Sequence, residues 1–369
     1  MNNKVGIERC SAYDPEPLYA ALKTAAQAAG LPEVKGKTVL LKPNILSDGA
    51  PEKAVTTHPV FLEAAIRIVR EWGAARILVG DSPGLQGRNF APRSSGLWDT
   101  TIKNNAEWVD FTKGKIEVEC PGGKVQRRFT VSSIIKEIDV LINLPKFKTH
   151  QLMYFTGAMK NTFGLIPSVS KSTYHVRYSS RASFASMIVD LNLIDKPVYA
   201  LMDAVVGMEG PGPGSGSPRQ VGLVIASSNF LAMDVAACII MGYPPEKIPV
   251  NQEALSRQIW LKDLSEIEYP LLKPEELKIR DFVKIHFKQS GSRFLDVIVP
   301  KPLRRLRESL APVINREKCV RCGDCVRICA SGAINFSGER DSKLLEIDAQ
   351  RCIRCYCCHE ICLAKAIIV

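Results

Sequence analysis

One cysteine spacing occurs twice near the C-terminus of this 369-residue chain. Cys319, Cys322, Cys325 and Cys329 follow C-x2-C-x2-C-x3-C, and Cys352, Cys355, Cys358 and Cys362 repeat it 33 residues later. The same offset relates Ile314 to Ile347, Arg321 to Arg354, Ala333 to Ala366 and Ile334 to Ile367. A duplicated unit with matched apolar flanks predicts two halves about a pseudo-two-fold axis. Three thiolates at such short intervals wrap three corners of an iron–sulfur cubane, and the fourth corner comes from elsewhere. In the two-cluster pattern the fourth cysteine of each run ligates the other cluster. The spacing therefore predicts two 4Fe–4S clusters. One is held by Cys319, Cys322, Cys325 and Cys362, the other by Cys352, Cys355, Cys358 and Cys329. Cys357 aligns with Asp324 and is read as a spare thiol. Structural zinc uses separated cysteine pairs and fits these runs poorly.

Nine of the twelve cysteines fall in this tail, leaving Cys10, Cys120 and Cys238 in the body. A disulfide scaffold is a small secreted domain with cysteines throughout. The uneven placement instead predicts metal in a reducing, cytoplasmic setting. The composition, 46% hydrophobic and 24% charged, is that of a folded globular chain rather than a disordered one. No apolar run approaches the roughly 18 residues of a membrane span. The most apolar segment, 230–241, is short and contains Asp234. Residues 1–10 lack the apolar core of a signal peptide. The net charge of +11 lies mostly on the body and comes with no nucleic-acid motif, so no nucleic-acid partner is expected.

Ahead of the tail, apolar runs alternate with amphipathic stretches. Strands are expected at 5–9, 38–42, 76–79, 139–143, 198–202 and 221–226. Helices are expected at 15–29, from a Thr56 or Thr57 cap to Trp72, and at 152–162, 183–194 and 231–241. Such Val/Ile/Leu runs suit parallel strands covered on both faces. The fold class is α/β, a mostly parallel sheet flanked by helices, with a small C-terminal α+β two-cluster ferredoxin-like domain. The division is 1–270 for the α/β domain, 271–312 for a basic linker holding Lys301, Arg304, Arg305 and Arg307, and 313–369 for the tail.

Ligands of open parallel sheets sit at the carboxyl ends of the strands. Four strand ends carry polar loops: 42–44, 80–84, 144–150, and Asp203 with the glycine-rich 207–214. They suggest a shared cleft. Asp81, Lys146, Lys148 and His150 are the candidate catalytic residues. Lys42, Asn44, Lys160, Asn161 and Asp203 are the candidate substrate-binding residues. Lysines on these loops suit a carboxylate or phosphate as point charges, although single lysines ordinarily face solvent. His58 reads as a helix-start residue, and Asp234 as a satisfied buried acid. His175, with Tyr174 and Tyr178, reads as a lid or plain surface. The segment 207–216 is neither a Walker loop nor a dinucleotide fingerprint.

These loops, together with Thr57-His58-Pro59, Lys160-Asn161 and the segment from Asp234 to Met241-Gly242, resemble the domain-of-unknown-function family 362 over about residues 4–243. The tail resembles bacterial two-cluster ferredoxins over 314–369, with Ala330 and Leu363 where that family usually has proline. The resemblance implies an iron–sulfur protein and supplies no reaction. The leading expectation is an oxidoreductase in which the tail relays electrons between an external carrier and a small anionic substrate in the cleft. The alternative is a non-catalytic electron-transfer module docking on a partner redox enzyme. A third reading makes the clusters structural beside an acid–base site.

Overall fold

The computed structural model describes residues 2–84, 90–196, 198–287, 311–337 and 344–369. Alternation of apolar strands and amphipathic helices builds the body. In order it has β1 (Val5–Arg9), α1 (Pro15–Ala29), β2 (Thr38–Pro43), α2 (Pro59–Glu71), β3 (Arg76–Val79), α3 (Leu97–Lys103) and β4 (Glu107–Trp108). A hairpin of β5 (Lys115–Glu119) and β6 (Arg128–Ser132) follows, then β7 (Val140–Leu144), β8 (Lys146–His150) and β9 (Tyr154–Thr156). After α4 (Ala158–Asn161), α5 (Ser168–Arg177) and α6 (Arg181–Leu191) come β10 (Val198–Glu209), β11 (Ser217–Ser227), α7 (Phe230–Met241) and α8 (Pro249–Arg257).

The main sheet runs β1-β11-β10-β7-β2-β3-β4, with β8 paired to β10 and β9. From β10 to β4 the strands are parallel, and β11 and β1 add an antiparallel edge. Both faces of the parallel strands are covered, which is why they are apolar throughout. One core holds Leu18, Leu22 and Ala25 of α1 and Phe61, Leu62 and Ile66 of α2 against Val39 and Leu41 of β2. The other holds the α6 and α7 side chains against Leu40, Leu141 and Met202. Burying one such Leu or Phe contributes about 1.5–3 kcal/mol. Gly6 lets α1 approach β1, because a Cβ there would overlap the Ala25 carbonyl. The apolar 230–241 segment is α7, a core helix buried on nearly every side.

Four expectations change. The helix expected at 152–162 is a hairpin followed by one helical turn. β9 folds back on β8 with His150 opposite Tyr154, and Asp234 caps α4 by accepting from the N–H groups of Ala158 (2.6 Å) and Met159 (3.0 Å). The loop expected at 144–150 is mostly the buried strand β8, because its lysines find buried partners. Asp203 lies within β10, which continues to Glu209, rather than after the strand. The cap of α2 is His58, whose Nδ1 accepts from the Val60 N–H at 3.3 Å. Thr57 Oγ1 instead accepts from the Asn44 N–H (2.9 Å) and donates to the Leu144 carbonyl (2.8 Å).

Residues 271–287 lie along the body, with Phe282 buried in its core. Lys301, Arg304, Arg305 and Arg307 lie outside the described residues. The tail contains β12 (Val313–Ile314), α9 (Asp324–Ile328), β13 (Ile334–Ser337), β14 (Leu344–Ile347), α10 (Cys357–Ile361) and β15 (Ile367–Ile368). Its strands pair across the repeat: Ile314 opposes Ile367, and Ile334 opposes Ile347. Moving every residue by the repeat offset exchanges these two pairs, as a pseudo-two-fold axis requires. Backbone twists repeat too, with positive φ at Arg321 and Arg354, Gly323 and Tyr356, and Gly332 and Lys365.

Candidate functional site

β2, β3 and β7 end side by side, so the residues just beyond them meet at one edge of the sheet. There a cavity of about 110 Å³ opens. Asn44, Asp81 and Ser82 reach it from the strand ends, Lys160 and Asn161 from α4, and Lys171 and His175 from α5. The remaining wall is the tail: Ile328, Cys357, Glu360 and Ile361.

Asp81 forms a fully buried ion pair with Lys42 (2.7 Å) and accepts from the Ile45 N–H (2.8 Å) through its other oxygen. Gly164 covers this pair, where a Cβ would collide with both partners. A chain of amides runs beside it. Asn143 Nδ2 donates to the Ala158 carbonyl (2.7 Å), Asn161 Nδ2 to Asn143 Oδ1 (2.7 Å), and Asn44 Nδ2 to Asn161 Oδ1 (2.9 Å). The chain fixes the Asn44 amide so that its Oδ1 is left as a buried acceptor.

His150 Nδ1 accepts from the N–H groups of Leu152 (3.1 Å) and Met153 (3.3 Å). Its Nε2 therefore carries the proton and lies 3.1 Å from Glu360 Oε1, close but outside hydrogen-bond geometry. Burial pushes the His150 pKa down to about 4, so this is a neutral imidazole beside a carboxylate. Burial opposes the Glu360 charge, but His150 and the Lys160 charge outweigh it and hold its pKa down to about 2. Burial, with the neighbouring Lys160 and Lys146 charges, pushes Lys148 down to about 7, and its Nζ donates to the Val55 carbonyl at 2.9 Å. Lys171 is also pushed down to about 7, chiefly by burial, and donates to the Ser82 carbonyl.

The nine candidate side chains thus separate. Asn44, Asp81, Lys160 and Asn161 line the cavity, Lys42 lies beneath it, His150 meets it through Glu360, and Lys148 is buried outside the lining against the Val55 carbonyl. Lys146 and Asp203 belong to a closed network behind it. Lys146 Nζ donates to Asp203 Oδ2 (2.7 Å) and the Tyr13 oxygen (2.8 Å). Asp203 also accepts from the Tyr13 hydroxyl (2.8 Å) and the His58 N–H (2.9 Å). The Tyr13 and His58 rings stack at 3.6 Å.

Ser82, Lys171 and Glu360 were not singled out by sequence, and His175 was left between lid and surface. Lys171 and His175 stand four apart on α5, a helical spacing hidden in a polar stretch. A sharper signal lies in the repeat. Around α10 the second copy departs from the first at Tyr356 for Gly323, Cys357 for Asp324, His359 for Val326 and Glu360 for Arg327. All four departures face the body. Tyr356 joins the body core, Cys357 and Glu360 line the cavity, and His359 Nε2 lies 3.0 Å from the Pro211 carbonyl. The glycine-rich segment receives the tail, with Lys365 Nζ donating to the Gly216 carbonyl at 3.2 Å.

The tail cysteines fit iron–sulfur clusters as two crossed sets. Cys319, Cys322, Cys325 and Cys362 line one cavity of about 150 Å³. Cys329, Cys352, Cys355 and Cys358 line another, with Cys357 between it and the cleft. All are free thiols. Backbone N–H groups at matching repeat positions donate to the two exchanged cysteines, Ala333 to Cys329 Sγ (3.2 Å) and Ala366 to Cys362 Sγ (3.3 Å).

Such a tail, closing the cleft of an α/β body, defines an iron–sulfur protein of the ferredoxin-tailed kind. Residues 318–366 match the 4Fe-4S dicluster domain. The chain belongs to the family described as domain of unknown function (DUF362), matched over residues 39–239. It is 30% identical over 283 residues to a thylakoid-associated protein of Synechocystis, covering 76% of this chain and 87% of that one. A crystal structure of a Thermotoga maritima protein is similar at a TM-score of 0.40 and 13% identity, over 64% of this chain and 60% of that one. Among the described residues, no helix is long and apolar enough to cross a membrane.

Proposed function

We propose that this chain is an oxidoreductase whose tail carries electrons between an external protein carrier and a small anionic compound in the cleft. One observation carries the reading: the cleft wall is α10, the helix between ligand cysteines Cys355 and Cys362, and Cys357 borders both the cleft and the second cysteine set. Bound 4Fe–4S clusters supply one-electron transfer. The chain's residues do the rest. Lys160 and Lys171 bring positive charge to the cavity, and Lys171, with a pKa near neutrality, is suited to hold or release a proton there. Cys322, exposed to solvent, offers the side on which a carrier docks. A reducing compartment such as the cytoplasm suits the free cysteines.

The test uses the full chain, loaded with iron and sulfide under anaerobic conditions and reduced with dithionite. A panel of small oxo acids and oxyanions is then added, and cluster reoxidation is followed by EPR. At least one anion should speed reoxidation tenfold or more, and Lys160→Met should abolish the effect at unchanged iron content. Reoxidation indifferent to every anion, or equally fast in Lys160→Met, overturns the reading in favour of a docking module.

A further inference from the structure

The polar atoms of the cleft specify more than negative charge. Five lysines, Lys42, Lys146, Lys148, Lys160 and Lys171, gather in and behind the cavity against three carboxylates, Asp81, Asp203 and Glu360. Lys42 is matched by Asp81 and Lys146 by Asp203. Glu360 lies 3.1 Å from neutral His150 and feels the Lys160 charge, with no lysine within ion-pair distance among the described residues. Lys160 makes no hydrogen bond or ion pair among the described residues, although it lines the cavity. Lys160 and Lys171, which line the cavity with no carboxylate within ion-pair distance among the described residues, suit an anion.

Two further groups ask for hydrogen bonds. Ser82 Oγ, on a residue 1% exposed, and Asn44 Oδ1 are buried without partners in the cavity wall. The serine hydroxyl can donate to an anion, but Asn44 Oδ1 can only accept, because the amide chain through Asn161 and Asn143 fixes its orientation. A bare anion leaves it unmatched; a ligand hydroxyl matches it. The rest of the lining includes the apolar side chains of Ile45, Leu46, Phe163, Ile328 and Ile361. A 150 Å³ cavity accommodates benzene, so the cavity of about 110 Å³ here takes about four to six heavy atoms. The enclosed part is too small to bury a nucleotide or a flavin whole.

We infer that the cleft binds a short hydroxycarboxylate, with its carboxylate at Lys160 and Ser82, its hydroxyl donating to Asn44 Oδ1 and its carbon chain against the apolar part of the lining. The inference rests on the cleft being the substrate site and adds the chemical class. Lactate, propionate and phosphate separate the possibilities, because propionate is lactate without the hydroxyl and phosphate lacks the carbon chain. Calorimetric titration of the cluster-loaded full chain should show lactate binding about tenfold tighter than propionate, as expected when a buried acceptor is otherwise left unpaired. Asn44→Leu should remove that preference, and Lys160→Met should weaken both acids. Comparing ligands on the unaltered protein keeps the test independent of whether the variants fold. Propionate binding as tightly as lactate, phosphate binding more tightly than either, or no binding of lactate overturns the inference. Equal binding of the two acids, with reoxidation still dependent on an anion, removes the hydroxyl assignment and leaves the electron-transfer reading standing.

Discussion

Replacing Gly164 with alanine sets two general effects against each other. Gly164 has no positive φ, and alanine at a compatible glycine position ordinarily stabilises by about 0.4–1 kcal/mol by restricting the unfolded chain. Here the added methyl would lie 2.6 Å from Lys42 Cε and closer still to Lys42 Nζ and Asp81 Oδ1. Neither partner has room to retreat. Asp81 is tied to the Ile45 N–H at 2.8 Å, and Lys42 Nζ also donates to the Pro43 carbonyl at 3.2 Å. The methyl therefore wedges the pair apart. Both side chains are nearly inaccessible, 0% and 3% exposed, so solvent does not compensate. Breaking a buried pair costs about 3–5 kcal/mol, which leaves a net loss of about 2–4 kcal/mol. Urea unfolding of the cluster-loaded chain, followed by far-ultraviolet circular dichroism, measures it. In a Lys42→Met, Asp81→Leu background the penalty should largely vanish, since no pair remains to be split. A Gly164→Ala protein as stable as the parent, or more so, would refute the argument that this pair is tightly enclosed.

Two other outcomes follow from the site. Lys148 has its pKa lowered from 10.5 to about 7, so between these values the unfolded chain binds the proton that the folded chain releases. Its penalty is complete below about pH 7 and fades as pH rises, by up to about 1.4 kcal/mol per unit. Lys148→Met should thus exceed the parent in stability at pH 7 and lose that advantage by about pH 10; an advantage independent of pH would contradict this. In the tail, Cys362→Ser should perturb the EPR signal of the cluster otherwise held by the first run and Cys329→Ser that of the second, while Cys357→Ser should retain both clusters and full iron content.

Much of this architecture was legible in the chain because the signals were local. Apolar runs with glycine or proline stops marked α1, β2, β3 and α7 almost to the residue. The cysteine spacing marked two crossed sets of cysteines, and in the fold Cys362 lines a cavity with the first run and Cys329 one with the second. What escaped was decided by distant partners. β8 looked like a loop because Lys146 and Lys148 are buried against Asp203 and the Val55 carbonyl, which lie 57 and 93 residues away. Helix 152–162 was broken by Asp234, a residue 76 positions later that caps α4. Glu360 and Cys357 were hidden within a repeat, where similarity between copies drew the eye away from their differences.

The differences at α10 also decide how the tail can sit. Tyr356 enters the body core, His359 meets the Pro211 carbonyl and Lys365 donates to the Gly216 carbonyl, so one half of the repeat is the docked half. Turning the tail about its pseudo-two-fold axis would bring Gly323, Val326 and Gly332 to those places, and none of the three can make these contacts. A unit that is nearly symmetric within itself therefore has a single orientation on the body.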